Sequence, residues 1–486
     1  MPRPDLLLRD ALVHDGSGAP AFRGDVWVSQ GRIERVGVAE PTDAARVIDL
    51  DGLALAPGFI DVHTHDDRLL LADPAMTPKL SQGVTSVVTG NCGISLAPLG
   101  RHAAVPPLNL VADDGSTRFD SFAAYFAALH AAPPAVNFAA LVGHTSLRAA
   151  TMPVLDRPAR PDEIARMQAL LYEALDAGAI GLSTGTYYAP AAAATAEEIR
   201  AVAEPLRGRG AVIASHIRDE GEHVLEAMRE AIAIAAALDV RQVLSHHKVL
   251  GRANFGRSRE TLALLDEARL RSDVCLDCYP YIASSTVLRA DAVRQALRTI
   301  VAWSGAQPAA AGRDLDELAR EQGLQIEALI EALQPAGAIY FSMDEADVER
   351  ILAHPETMIG SDGLPHDRFP HPRLWGAFPR VLGHYARERR LFTMEAAVHK
   401  MTGLPAARFG LADRGLIEPG RAADLVVFDP GRVADAATFA QPLRPALGIR
   451  SVWVNGVLSW HDGRSTGSRA GRQLRHAAAS SHSNTA

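Results

Sequence analysis

Six residues of types that bind metal ions close five apolar runs in this chain. GFIDVHTH (58–65) ends in His63-Thr64-His65, VTSVVTGNC (84–92) in Cys92, and AVIASH (211–216) in His216. QVLSHHK (242–248) carries His246, and TMIGSD (357–362) ends in Asp362. If these runs are β-strands, positions i and i+2 face the same way, so His63 and His65 can aim their imidazoles at one point. Singly, each residue has a bland reading: a lone strand-end His is commonly a satisfied polar group, and a lone buried Cys is core. Together, at the ends of successive strands, they read as a metal centre. His247 falls on the opposite face of its strand from His246 and is expected to be structural. His144, ending NFAALVGH (137–144), could orient ligands or merely cap its strand.

The runs that carry these residues alternate with helical segments such as PDEIARMQALLYEALDAG and EGEHVLEAMREAIAIAAAL, the pattern of parallel βα units. With NFAALVGH, AIGLSTGT (179–186) and DVCLDCYPY (273–281), the strands number eight, which closes a (β/α)8 barrel whose chemistry sits at the C-terminal strand ends. The predicted fold is therefore α/β, a (β/α)8 TIM-like barrel over residues 57–414. Residues at about 282–343 are too many for one helix and read as an insertion after strand seven, placed to act as a lid. Residues 1–56 and 415–465 show short strands between Gly, Asp and Asn-Gly turns, predicted to build one small β-domain from both chain ends. The polar stretch 466–486 is predicted to be a disordered tail.

Composition narrows the classes further. Of the 486 residues 48% are hydrophobic, enough for a large core, and the net charge of -8 argues against a nucleic-acid or acidic-membrane binder. No run approaches the ~18 apolar residues of a membrane helix, and no signal-peptide core forms at the N-terminus, so cytoplasm is the expectation. The three cysteines form no disulfide framework. Cys275-x-x-Cys278 lies in a strand-like run rather than at a helix start, which predicts ordinary buried thiols.

The segments GFIDVHTHDD, GVTSVVTGNCGISLAPL, GAIGLSTGTYY, SHIRDEGEHVLEA, LSHHKVLGRANFGRS and IGSDGLPHDRFPHPR resemble the N-acyl-D-amino-acid deacylases (D-aminoacylases) of the amidohydrolase superfamily. The resemblance spans most of the chain and is least clear in the insertion. Many superfamily members bridge two metals with a carboxylated Lys from strand four. AIGLSTGT offers only Ser and Thr there, and in this branch a Cys from strand two replaces the Lys. The resemblance implies one Zn2+ held tightly by Cys92, His216 and His246, with an open position for water. It implies a second, weaker or empty metal position framed by His63, His65 and Asp362. Asp362 is then the general base, and the substrate is a small N-acyl-D-amino acid.

That substrate carries a carboxylate, which needs cations. Lys248 lies two residues after His246 on the same strand face, and Arg373 can grip a carboxylate bidentately. The resemblance adds Tyr279 to this pair and makes Tyr188 a weaker candidate near the carbonyl or carboxylate. Arg289, at the start of the insertion, could pair with an acidic substrate side chain; the alternative is a broad preference for neutral or hydrophobic D-residues. Two rival functions remain. A cyclic-amide hydrolase of the hydantoinase or dihydroorotase type would normally show the strand-four Lys. A non-enzymatic scaffold would have lost ligands, and none is lost.

Overall fold

The computed structural model describes residues 4–38, 44–99, 105–112 and 118–476. The chain opens with five strands, β1 (Leu6–Val13), β2 (Phe22–Ser29), β3 (Arg32–Gly37), β4 (Val47–Asp49) and β5 (Ala54–Pro57). Seven parallel strands follow: β6 (Phe59–Asp61), β7 (Val84–Thr89), β8 (Asn137–Gly143), β9 (Gly181–Gly185), β10 (Val212–His216), β11 (Arg241–Leu244) and β12 (Val274–Cys278). Next come β13 (Ala283–Val287), β14 (Arg298–Ser304) and β15 (Ala336–Phe341), then β16 (Thr357–Ile359), and last β17 (Leu425–Phe428), β18 (Ile449–Val454), β19 (Val457–His461) and β20 (Arg464–Ser465).

The order β16-β12-β11-β10-β9-β8-β7-β6 is the eight-stranded barrel. Its interior is packed by Ile60, Val88, Leu141, Val212, Val243 and Met358, among others. Helices cover the outside for the reason their sequences suggest. In Pro161–Ala177 the buried residues Met167, Leu171 and Ala174 recur at helical spacing, the Glu163 carboxylate accepts the Arg160 backbone N–H, and Gly178 at φ 109° ends the helix. Both chain ends build one sheet, β20-β19-β18-β17-β5-β1-β2-β3, with β4 beside β1. Asn137 at the start of β8 ties this sheet to the barrel, donating to Asp424 at 2.9 Å and accepting from Asn455 at 2.7 Å.

Two features differ from expectation or sharpen it. The insertion is a three-stranded antiparallel sheet, β13-β15-β14, backed by the helices Leu315–Gln322 and Ile326–Leu333. The tail expected to be disordered from residue 466 is instead packed through His476. The Phe138 N–H donates to Arg472 O, the Leu474 N–H donates to Phe138 O, and the Leu474 side chain joins the barrel's inner core. In that core Leu474 lies with Phe409 and Leu411, and the Gly471 N–H to Pro134 O and Asn455 Nδ2 to Ala470 O bonds hold the segment leading to it. Residues 477–486 lie outside the described residues. Cys275 and Cys278 are free and buried, and burial pushes both thiols up to about 12, so they are ordinary core thiols.

Candidate active site

The strands stop short of most of the candidate ligand residues. Only His216 is a strand residue; His63 and His65 follow β6, Cys92 follows β7, His246 follows β11 and Asp362 follows β16. The strand-phase argument for His63 and His65 therefore does not apply, because the chain has already left the pleat. Loop backbone aims these side chains instead. Cys92, His246 and Asp362 hold left-handed φ of 54°, 36° and 48°. Such conformations cost non-glycine residues about 1–3 kcal/mol each and persist where surrounding structure holds them.

The surroundings do hold them. Asp362 N–H donates to His63 O at 2.7 Å, and His65 N–H donates to Gly363 O at 3.2 Å. These bonds, with the Thr64–Gly363 bridge, join the loop after the last barrel strand to the loop after the first. Beneath them Lys79, fully buried, donates to Asp61 at 2.7 Å, Ser361 at 2.9 Å and Thr64 at 3.1 Å, with Asp66 at 3.2 Å. Asp61 in turn accepts the Ser361 backbone N–H at 2.8 Å. One ammonium thus binds both ligand loops. Asp277, on β12, stands 3.3 Å from His63 Nδ1 and accepts the His246 backbone N–H at 2.8 Å. A carboxylate on the far nitrogen of an imidazole fixes its tautomer and orientation. Ser183 on β9 braces the Cys92 loop, accepting from Gly93 N–H and donating to Gly90 O.

The result is two sets of donor atoms sharing one sulfur. Cys92, His216 and His246 form one set; His63, His65, Cys92 and Asp362 form the other, and within each the ligand atoms lie within 4.8 Å of one another. Cys92 Sγ is 3.2 Å from both His63 Nε2 and His246 Nε2, and His246 Nε2 is 2.9 Å from His216 Nδ1. Asp362 Oδ1 is 3.2 Å from His65 Nε2 and 3.5 Å from His63 Nε2. Burial opposes a thiolate at Cys92, but the His246 and His63 imidazoles hold its pKa well below the usual thiol range. A thiolate and two imidazoles with converging lone pairs fit zinc, which takes N and S ligands tetrahedrally.

The same accounting applies to Asp362. Burial pushes its carboxyl up, but Arg373, His65 and the neighbouring imidazoles hold it well below the usual carboxylate range. Arg373 Nη1 lies 2.8 Å from Asp362 Oδ2. The Arg373 guanidinium sits 4.6 Å from the centre of the Tyr279 ring, and the Lys248 ammonium 5.7 Å from it. The structure thus brings Lys248, Tyr279 and Arg373 together. Among the described residues, buried Tyr279 Oη and Arg373 Nε have no hydrogen-bond partner. Lys248 is paired with Glu220 at 2.6 Å and also reaches His246 Nδ1 at 2.7 Å.

Tyr188 lines the metal pocket, its hydroxyl 2.9 Å from Thr286 of the lid. Arg289 does not line that pocket. It pairs with Asp291, stacks 4.6 Å over the Tyr187 ring, and lines a neighbouring cavity. His247 turns away to Thr261, 2.8 Å from its Nε2, and burial with Lys248 nearby lowers its pKa to about 4. His144 starts the helix His144–Thr151 and faces Glu198 at 3.3 Å, outside both ligand sets. Sequence reasoning missed Glu220, Asp277 and Lys79. Glu220 had a local signal, standing four residues after His216, whereas the partners of Asp277 and Lys79 are distant in sequence.

The sequence model of the amidohydrolase family matches residues 46–459. The D-aminoacylase of Alcaligenes xylosoxydans xylosoxydans is 57% identical over 98% of this chain and 98% of its own length. The chain belongs to the D-aminoacylase branch of the amidohydrolases. The N-acyl-D-aspartate deacylase of the same organism is 53% identical to this amidohydrolase over 97% of the chain and 95% of its own length. In three dimensions the amidohydrolase superposes with a TM-score of 0.93 on the N-acyl-D-glutamate deacylase of Bordetella bronchiseptica, solved with zinc and a phosphonate mimic of the tetrahedral intermediate. That pair is 44% identical, covering 97% of this chain and 100% of the other.

Proposed function

We propose that this chain hydrolyses the amide bond of N-acyl-D-amino acids, releasing a carboxylate and a D-amino acid, with zinc as its cofactor. The observation that carries this reading is the shared thiolate: Cys92 belongs at once to the N/S set with His216 and His246 and to the set with His63, His65 and Asp362. It stands in a chain 57% identical to a D-aminoacylase along nearly its whole length. Cys92, His216 and His246 would hold a zinc ion, which would supply Lewis acidity toward the amide carbonyl and lower the pKa of a bound water to about 7.

Asp362 handles the proton. Held ionised beside Arg373, it accepts the proton of the attacking water at Oδ1, the oxygen on the imidazole side. It returns that proton to the amide nitrogen as the C–N bond breaks, because an amine leaves only when protonated. Lys248, Arg373 and the Tyr279 hydroxyl grip the substrate carboxylate, with the ring of Tyr279 against both cations. Glu220 balances Lys248 in this buried site.

The cyclic-amide reading is disfavoured where the strand-four Lys would stand, since β9 presents Ser183 as a brace for the Cys92 loop. The test is elemental analysis together with kcat/KM on N-acetyl-D-methionine and N-acetyl-D-glutamate, with the L-enantiomers and hydantoins as controls. Zinc near one equivalent with a preference for the D-acyl substrates is expected. Faster turnover of hydantoins, or no zinc, would refute the reading.

A further inference from the structure

The metal pocket has a larger neighbour, a cavity of about 570 Å³. The two share Tyr187 and Tyr188, and the lid strand β13 runs over both. Its Ser284, Ser285 and Thr286 face the metal pocket, and its Val287, followed by Leu288, faces the second cavity. Tyr188 lines both, and its hydroxyl meets Thr286 Oγ1 of the metal pocket at 2.9 Å. The lining of the second cavity is largely carbon, from Pro106, Ala189, Ala192, Val287, Leu288 and Pro335. The cation at its edge, Arg289, is already neutralised by Asp291 and stacked on Tyr187.

The placement of the cations decides which end of a substrate points that way. Lys248, Tyr279 and Arg373 follow β11, β12 and β16, on one side of the ligand atoms. Tyr187 and Tyr188 follow β9, each ring 5.0 Å from that of His216, on the other side. With the carboxylate on the cations and the scissile amide over the ligand set, the acyl group points at the tyrosine wall and the cavity behind it. We infer that this second cavity is an acyl-chain subsite, entered past Tyr188, that takes an unbranched aliphatic chain of medium length. The inference rests on the deacylase reading above and adds the acyl class of its substrate.

Each methylene fully buried in such a cavity contributes up to about fourfold in kcat/KM. The experiment compares N-acetyl-, N-hexanoyl- and N-octanoyl-D-methionine in the zinc-loaded wild type and in Ala189→Phe and Ala192→Phe. Both alanines line the cavity from solvent-exposed positions and touch none of the catalytic groups. In the wild type kcat/KM should rise at least ~10-fold from acetyl to octanoyl, a fraction of the full-burial value. The variants should keep the N-acetyl rate, which certifies their fold, and lose the rise. A flat or falling series in the wild type overturns the subsite, as does a rise that survives both substitutions. Failure to cleave any of the three, N-acetyl included, overturns the deacylase reading itself and is told apart by that control.

Discussion

Replacing Asp362 by Asn keeps the shape of the side chain and removes its charge, which has two separable consequences. The first is chemical. Asn can neither take the proton of water nor deliver it to the leaving nitrogen, and losing a positioned acid–base lowers kcat by about 10²–10⁴-fold. In barrier terms this is about 3–5 kcal/mol. The second is structural. Arg373 is fully buried and Asp362 is its 2.8 Å ion-pair partner, so the substitution strands a buried cation. Removing one partner of a buried pair costs about 3–5 kcal/mol of stability. Arg373 retains its 3.1 Å bond to Ser285 O, which places the cost toward the lower end.

Because the two effects are of similar size, turnover alone cannot separate them. The assay therefore measures kcat on N-acetyl-D-methionine, zinc by elemental analysis and the denaturant midpoint on one preparation. Zinc should remain, since Cys92, His216 and His246 are untouched. Arg373→Met, which breaks the same pair from the other side, should show a similar stability loss with its main effect on KM through the substrate carboxylate. A folded, zinc-loaded Asp362→Asn protein turning over within tenfold of wild type would refute the proton role.

Cys92→Ala removes the sulfur common to both donor sets and should abolish zinc binding and activity together; full zinc content in the purified variant would contradict the ligand assignment. Glu198 is buried, which pushes its carboxyl up, yet His144, the Ala159 N–H and Arg148 win and bring it from 4.5 down to about 2. Its folded pKa is depressed, so its contribution is present above about pH 4.5 and is lost as pH falls toward 2; Glu198→Gln should shrink the drop in urea midpoint between pH 6 and pH 3, and an unchanged drop would refute the assignment. Leu474→Ala should cost about 2–5 kcal/mol in denaturant unfolding, the range for a buried leucine, whereas a change below 0.5 kcal/mol, as on a free tail, would show that the segment does not join the barrel's inner core.

The residue types at His63, His65, Cys92, His216, His246 and Asp362 were legible because ligand chemistry is local and barrel order is regular. How they converge was not, since three of them depend on left-handed backbone at residues with no glycine to announce it. Lys79 and Asp277 could not be read as partners either, because a buried ion pair is defined by what meets it across the fold. The place of Arg289 followed from the lid sheet, whose pairing of β13 with β15 carries it past the metal pocket. The ordered tail was hidden because one leucine in a polar stretch carries no compositional weight.

The bonds from Asp362 to His63 and from His65 to Gly363 have a bearing on how such an enzyme can change. They make Asp362 part of the seam that turns an open sheet into a cylinder. Moving that carboxylate means parting the cylinder, so sequence drift at the seam carries a cost in folding before it carries one in turnover. The lid sheet and the loop bearing Tyr187 and Tyr188 bear no such double duty. Variation in substrate choice has room to accumulate there, above a reaction centre held in place by the geometry of the barrel itself.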